Sequence, residues 1–175
     1  MKQSKQAEQS REWMVEALFR LLKEKPFENI TINEITKKAG VSRLTYYRNF
    51  KSKEDIFLRG YQMMFDNFLK RLEMEKDLDL KKLIIFTFQN IEESLEMAKL
   101  IIQDELSNLI LKPFGNYITI ALDQMNVQGS LNHFQLKFIE GGLFFIVTDW
   151  IHNHRKYTPE QMAETILALF GGEQN

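Results

Sequence analysis

A short stretch rich in basic and hydroxyl side chains, residues 42–53, has the chemistry of a surface that binds nucleic acid. Arg43 and Thr45 fall in the first turn of a short predicted helix, where side chains can reach base edges. An arginine there suits the O6 and N7 acceptors of guanine. Lys53 follows Ser52, a potential helix cap, so its ammonium and the free backbone N–H groups would form a phosphate site. The chemistry expected of this stretch is recognition of a DNA duplex.

The distribution of charge agrees with a polyanionic partner for the amino-terminal third. The net charge of the chain is −1, yet residues 1–60 carry 13 Lys/Arg against 8 Asp/Glu, and the remainder carries 10 against 16. A positive segment of this kind indicates nucleic acid, although similar clusters are common on plain solvated faces. The charge distribution therefore supports the DNA-binding interpretation of residues 42–53 but would not be sufficient without it.

Composition predicts an all-α protein and excludes several classes. With 44% hydrophobic residues, the 175-residue chain can bury a sizeable core, and three prolines and eight glycines are too few for a turn-dense β fold. No cysteine is present, which excludes disulfides, Cys-ligated zinc and thiol catalysis. No apolar run reaches the length of a membrane span, and no apolar segment follows the first residues as in a secretory signal. We expect a cytoplasmic protein without membrane contact.

Two short helices joined by a tight turn are predicted to position the basic stretch. Thr31 and Glu34 have the spacing of a capping box, and Gly40 marks the end of that helix. Ser42 then caps a second helix, in which Tyr46 is expected to face inward together with Phe50. This order is that of a helix-turn-helix, whose second helix enters the major groove.

Read continuously, residues 27–56 closely resemble the DNA-binding signature of the TetR family of transcriptional regulators. The resemblance is strong over residues 10–60; beyond them only the helix layout matches. It implies a three-helix helix-turn-helix domain over residues 1–52 and an effector-binding and dimerisation domain over residues 53–175. The matching features are Thr31, Ile35, Ala39-Gly40-Val41-Ser42, Tyr47, Phe50, Lys53 and Ile56.

The same resemblance implies roles for further residues of the DNA-binding segment. Two positions depart from the family: Thr36 replaces a frequent alanine on a face expected to be half exposed, and Leu44 replaces a small residue. Leu44 would contact a thymine methyl or shield the helix start. Arg48 is equally compatible with a surface charge and with a phosphate contact. Thr31 could also contact a phosphate, but its role as a helix cap is the favoured interpretation. The predicted DNA-binding residues are Thr31, Ser42, Arg43, Leu44, Thr45, Tyr47, Arg48, Asn49, Lys51 and Lys53, of which Tyr47, Asn49 and Lys51 would hold phosphates.

The rest of the chain has helical periodicity with broad apolar faces. One or two helices are expected up to residue 112, an interruption at Pro113 and Gly115, and further helices over 117–125, 131–153 and 158–170. In the family such helices form a small-molecule pocket and a dimer interface. Core packing is the competing interpretation for every residue chosen. The candidate pocket residues are Phe86, Phe114, Tyr117, Phe138 and Phe145; the candidate interface residues are Gly141, Gly142, Phe144, Trp150, Ile166 and Phe170.

Two adjacent glycines support the interface, because glycine within a helix costs about 1 kcal/mol relative to alanine and suggests a close approach. The layout from Phe138 to Trp150 also resembles a subgroup that includes activators of dihydroxyacetone-kinase operons, in which the effector can be a partner protein. The sequence does not identify an effector.

No residue pattern indicates an enzyme, a cofactor or a metal site. His152 and His154 lie two apart, so on a helix their imidazoles point in different directions and do not share an ion. The sequence therefore predicts a homodimeric, sequence-specific regulator of transcription that binds a pseudo-palindromic operator. Repression released by an effector is the default; activation, and a helical interaction module without DNA binding, are the alternatives.

Overall fold

The computed structural model describes residues 2–75, 77–124, 131–153 and 156–170, and within them every regular element is helical. The all-α prediction is confirmed. A single 3-10 turn, Phe27–Asn29, lies between the first two α-helices. No helix in the described ranges has the length and apolarity to cross a membrane. The α-helices are α1 Lys2–Leu22, α2 Ile32–Ala39, α3 Arg43–Asn49, α4 Lys53–Leu72, α5 Leu80–Glu93, α6 Leu95–Ile101, α7 Asp104–Gln124, α8 His133–His152 and α9 Pro159–Phe170.

Local capping signals fix where several helices begin. Thr31 and Glu34 form the predicted capping box, in which each side chain bonds the other's backbone N–H. The Ser52 hydroxyl accepts the Asp55 N–H at 3.3 Å at the start of α4. Thr158 and Gln161 exchange the same pair of bonds before α9, at 3.3 and 2.9 Å. These starts are where the sequence predicts them because capping depends on residues only three positions apart.

The chain forms two compact units, the first of which comprises Met1–Met64 and Asp104–Ile110. Its core contains Leu18, Ile35 and Tyr46, all fully buried, and an aromatic group in which Phe57 contacts Phe19 and Phe27 at ring-centroid distances of 5.9 and 6.1 Å. This unit therefore includes most of α4, whereas the predicted domain boundary falls before that helix.

The second unit comprises Phe65–Gln103 and Leu111–Asn175. One part of its core is a cluster in which Phe68 and Phe86 pack against buried Leu72, Leu83 and Ala121. A second part contains two edge-to-face ring pairs: Phe88–Trp150 and Phe114–Phe144, with centroid distances of 4.9 and 5.5 Å.

The predicted interruption at Pro113 and Gly115 is wrong, because α7 continues through both residues. Proline inside a helix removes one backbone hydrogen bond and costs about 3 kcal/mol. Buried apolar side chains lie on both sides of the proline, including Leu106, Ile110 and Phe114, and their burial offsets that cost. The local rule for proline fails here because packing outweighs it.

Candidate nucleic-acid interface

The turn between α2 and α3 has the backbone geometry that its glycine permits. Gly40 adopts the left-handed conformation, with φ of +67°, and its N–H returns to carbonyls of the last turn of α2. The N–H of Val41 also bonds the Thr36 carbonyl at 3.0 Å. Ser42 then caps α3 by accepting the Thr45 N–H at 3.1 Å. These bonds start α3 at a defined position relative to α2.

One face of α3 is exposed and carries the side chains expected to read DNA. Arg43, Leu44, Tyr47 and Arg48 are all exposed, with Leu44 at 59% and Tyr47 at 56%. Arg43 donates from Nη2 to the Tyr47 hydroxyl at 3.2 Å, and its guanidinium lies 5.9 Å from the ring centre. Thr45 is half-buried, and its hydroxyl lies 2.9 Å from that of Ser42. The exposed face therefore offers cationic, hydroxyl and apolar groups together.

The opposite face of α3 is buried, as predicted for Tyr46 and Phe50, which are 0% and 8% exposed. The expectation that Thr36 is half exposed is wrong, because it is only 4% exposed. Its hydroxyl remains satisfied by donating to the carbonyls of Ile32 and Asn33 at 3.0 and 3.1 Å. Threonine is tolerated in this buried position because it can bond its own helix.

The side chain of Asn49 is engaged within the protein. Its amide nitrogen donates to the Thr45 carbonyl at 2.8 Å, and its oxygen accepts from Nη1 of Arg11 at 3.2 Å. Arg11 is held in turn by Glu8, whose other carboxylate oxygen accepts from Arg59 at 2.8 Å. The two arginines hold the pKa of the Glu8 carboxyl below its usual value, Arg11 more than Arg59. The assignment of Asn49 to a phosphate did not anticipate these contacts.

Sequence reasoning missed Arg11, Glu8 and Arg59. The spacing of Glu8 and Arg11 is a visible sign of an ion pair on one helix face. The contact between Arg11 and Asn49 joins residues 38 positions apart, and no local pattern encodes it.

The ammonium of Lys53 is also engaged within the protein, which its assignment to a DNA phosphate did not anticipate. Its ammonium donates to the carbonyls of Phe27, Glu28 and Ile30 at 2.7, 3.1 and 3.2 Å, and lies 4.4 Å from the centre of the Phe27 ring. An ammonium has three N–H donors, so these carbonyls use all of them. Lys53 instead ties the start of α4 to the turn that precedes α2.

Two further residues that were predicted to contact DNA are exposed and lie near the starts of helices. Thr31 is exposed and serves as the cap of α2. Lys51 is exposed, and its backbone N–H donates to the Asp55 carboxylate at 2.9 Å.

The five candidate pocket residues do not share one environment. Phe86 and Tyr117 are half-buried, and Tyr117 stacks on Phe65 with the ring centres 3.8 Å apart. Phe114 is buried against Phe144, as described above. Phe138 and Phe145 lie on the surface, 74% and 68% exposed. An interior pocket in this protomer would therefore involve the first three and not the last two.

Three candidate interface residues contribute to the protomer's own core. Phe144, Trp150 and Ile166 are 6%, 3% and 2% exposed. The assignment of these three to an interface is corrected, because the helical period turns them to the inner side of α8 and α9. Gly141 and Gly142 are half-buried, and a Cβ added to either would meet nothing within 4 Å. The side chain of Phe170 lies outside the described residues, as does His154.

A helix-turn-helix with one buried face and one cationic, exposed face defines the class of helical DNA-binding regulators. Comparison with known proteins gives the family. A family model described as "Bacterial regulatory proteins, tetR family" matches residues 14–59, and one described as "Transcriptional regulator C-terminal region" matches residues 79–172. The chain belongs to the TetR family, whose members are transcriptional regulators and not enzymes.

Two curated relatives and one solved structure agree with this assignment. The chain is 23% identical to the "Fatty acid metabolism regulator protein" of Bacillus subtilis (strain 168), over 89% of this chain and 91% of that protein. It is 34% identical to an HTH-type transcriptional regulator of Staphylococcus aureus (strain USA300), over 42% and 40% of the two chains. The fatty acid degradation regulator FadR from Bacillus halodurans has a similar fold, with a TM-score of 0.59, 19% identity and coverage of 94% and 96%.

Proposed function

We propose that this protein is a homodimeric transcriptional regulator in the cytoplasm that binds a pseudo-palindromic operator through α3. The observation that carries the proposal is the exposed face of α3, where Arg43, Leu44 and Tyr47 point away from the core that holds Tyr46. In this arrangement Arg43 bonds a guanine, Leu44 contacts a thymine methyl, and exposed Lys51 holds a phosphate.

Selection of duplexes from a random pool by the full chain tests the proposal. We expect enrichment of an inverted repeat whose half-sites are about one helical turn apart, 34–36 Å. Arg43→Ala should then weaken binding to the enriched duplex by about 1–3 kcal/mol and binding to random duplexes much less. Absence of any enrichment would favour the alternative of a helical interaction module.

The dimer is proposed to form through the outer side of α8. Phe134, Phe138 and Phe145 are 82%, 74% and 68% exposed and recur with Gly141 and Gly142 at helical spacing, which makes one apolar stripe. We call these five residues the α8 stripe. A contiguous apolar surface of this kind marks a protein interface, and the glycines leave room for a second helix to approach. An open groove of about 660 Å³ lies beside Phe145, and the buried core residues Trp150, Met162 and Ile166 are among those that line it.

The effector is proposed to be a fatty-acid derivative that releases the operator, so that the protein acts as a repressor. The names of two similar proteins, a fatty acid metabolism regulator and a fatty acid degradation regulator, support this class. The test is operator release by fatty acids and their thioesters of graded chain length, with a short-chain acid as control. A protein effector and activation of transcription, the alternative suggested by the resemblance of residues 138–150, would leave every small molecule inactive.

Helix α4 is proposed to couple the effector to DNA. It begins in the first unit, where Ile56 and Phe57 are fully buried, and ends in the second, where Phe68 and Leu72 pack with Leu83. An effector changes the affinity for DNA only if it binds the conformation that is competent for DNA binding and the conformation that is not with different affinities. Spin labels on the two α3 helices of the dimer should therefore report a changed separation on effector binding. Release of DNA with an unchanged distance distribution would refute this coupling.

A further inference from the structure

Arg11, on α1, is joined by hydrogen bonds to the end of α3 and to a carboxylate shared with α4. Its Nη1 donates to Asn49, and its Nε and Nη2 donate to Glu8, with the Nε bond at 3.0 Å. Glu8 also accepts from Arg59 of α4. We call Glu8, Arg11 and Asn49 the Arg11 clamp. All three lie in the first compact unit, and Glu8 and Arg11 precede the segment matched by the family model.

The Arg11 clamp acts on a helix that cannot fix its own orientation. Helix α3 has seven residues, about two turns, and is too short to be stable without tertiary contacts. Tyr46 and Phe50 hold its inner side, but apolar contacts are not directional. Hydrogen bonds depend on angle as well as distance, so they define the rotation of the helix about its axis.

Asn49 carries the restraint from Arg11 to Thr45, in the first turn of α3. It bonds Arg11 through its oxygen and the carbonyl of Thr45, one turn earlier, through its nitrogen. Thr45 lies in the first turn of α3 beside Arg43 and Leu44. A rotation of α3 would therefore break the bond to Arg11 and displace the side chains proposed to read bases.

We propose that Arg11 is a positioning residue for DNA recognition: through Asn49 it fixes the rotation of α3, and it does so without touching DNA. The inference rests on the proposed function of α3. Arg11 directs its side-chain hydrogen bonds to Glu8 and Asn49 within the protein, so we assign its contribution to orientation of α3 and not to attraction of phosphates.

The test compares the full chain with Arg11→Met, Asn49→Ala and the double variant, using the duplex enriched by the unaltered protein and a random duplex of equal length. We expect Arg11→Met to lower the ratio of the two affinities about tenfold, and the double variant to be no worse than the more affected single variant. The slope of log affinity against log salt should stay unchanged. Arg20→Met, which removes another arginine of α1 that is paired with Glu16, is the matched control and should change neither quantity.

Each other outcome has a definite meaning. A salt slope that falls by about 0.9 in Arg11→Met would show a direct phosphate contact and overturn the positioning role. An unchanged affinity ratio, or additive losses in the double variant, would also overturn it. Glu8→Gln, which keeps an acceptor oxygen, and Arg11→Lys, which keeps one donor, provide folded variants if Arg11→Met unfolds; both should lower the ratio. If the unaltered protein enriches no duplex, the proposed function itself is wrong. If it enriches a duplex but the variants keep the same ratio of affinities for the enriched and random duplexes, only the inference about Arg11 is wrong.

Discussion

Lys53 illustrates how the same residue type serves different purposes two positions apart. Its ammonium is surrounded by three carbonyls, whereas the side chain of Lys51 is exposed. Lys53→Met should keep the aliphatic stem and lose bonds to a charged group, which are worth about 1.5–3 kcal/mol. We expect a loss of roughly 2 kcal/mol in the free energy of unfolding, measured by urea titration, with no change in the salt slope of DNA binding.

Lys51→Met is the matched control for Lys53→Met. It should leave stability unchanged and lower the salt slope by about 1, as the loss of one phosphate contact does. The interpretation of Lys53 would be contradicted if Lys53→Met lowered the salt slope and Lys51→Met lowered the stability.

Glu34 makes the capping box of α2 sensitive to acid. The bond from Lys25, with those from the backbone and side chain of Thr31, lowers the pKa of the Glu34 carboxyl from 4.5 to about 2. A lowered carboxyl pKa means that its stabilising effect is complete above pH 4.5 and is lost as the pH falls towards 2. The stability difference between the unaltered protein and Glu34→Gln should therefore decrease over this interval.

Thermal unfolding of both proteins between pH 6 and pH 2 measures this difference. Glutamine is a suitable control because its side-chain oxygen can still accept the Thr31 N–H, while the charge and the acceptor for Lys25 are removed. A difference that stays constant down to pH 2 would show that the Glu34 charge does not contribute.

At the level of elements, α4 depends on a glycine in its interior. A Cβ at Gly60 would lie 2.2 Å from Cε2 of Phe19 and 2.9 Å from Cγ1 of Val15, both buried side chains of α1. Gly60→Ala should therefore destabilise the protein by about 1–3 kcal/mol, despite the higher helix propensity of alanine, because the core is overpacked. Chemical denaturation measures the loss.

The compensating variant Phe19→Leu tests the cause. Combined with Gly60→Ala, it removes the ring atoms that the new methyl would meet, so the double variant should be less destabilised than the sum of the two single variants. Additive losses would place the cost elsewhere than in this contact.

The sequence predicts the elements whose signals are local and misses those that depend on distant residues. The starts of α2, α3, α4 and α9 follow from caps three residues long, and the inward side of α3 follows from periodicity. Pro113 misled because burial on both sides of it outweighs a local rule. The roles of Lys53 and Asn49 could not be predicted, because their partners lie more than 20 positions away and are known only once the helices have packed.

For the whole molecule, the α8 stripe determines the proposed state of association. Phe138→Glu places a charge at its centre, where burial against a second copy would leave the carboxylate unpaired. We expect a monomer by light scattering and loss of binding to the inverted repeat. Met74→Glu, at a methionine that is 78% exposed outside the stripe, should remain a dimer.

Gly142→Leu is an independent test of the same interface. A Cβ added at Gly142 would meet nothing within 4 Å in the protomer, so we expect the protomer to fold as before. In the dimer the leucine would separate the paired helices and weaken association. If both Phe138→Glu and Gly142→Leu remain dimers, the interface lies on another surface of the protein.

The exposed phenylalanines of α8 also bear on how the cell sets the amount of this regulator. In the proposed dimer the second copy covers these side chains, whereas an unpaired protomer presents three phenylalanines to water and is open to proteases and chaperones. Because pairing requires two chains, the abundance of the active form should rise with the square of the concentration of free protomers when that concentration is low. A twofold increase in synthesis would then give about a fourfold increase in operator occupancy, so that the dose of the gene itself becomes a sharp control on transcription.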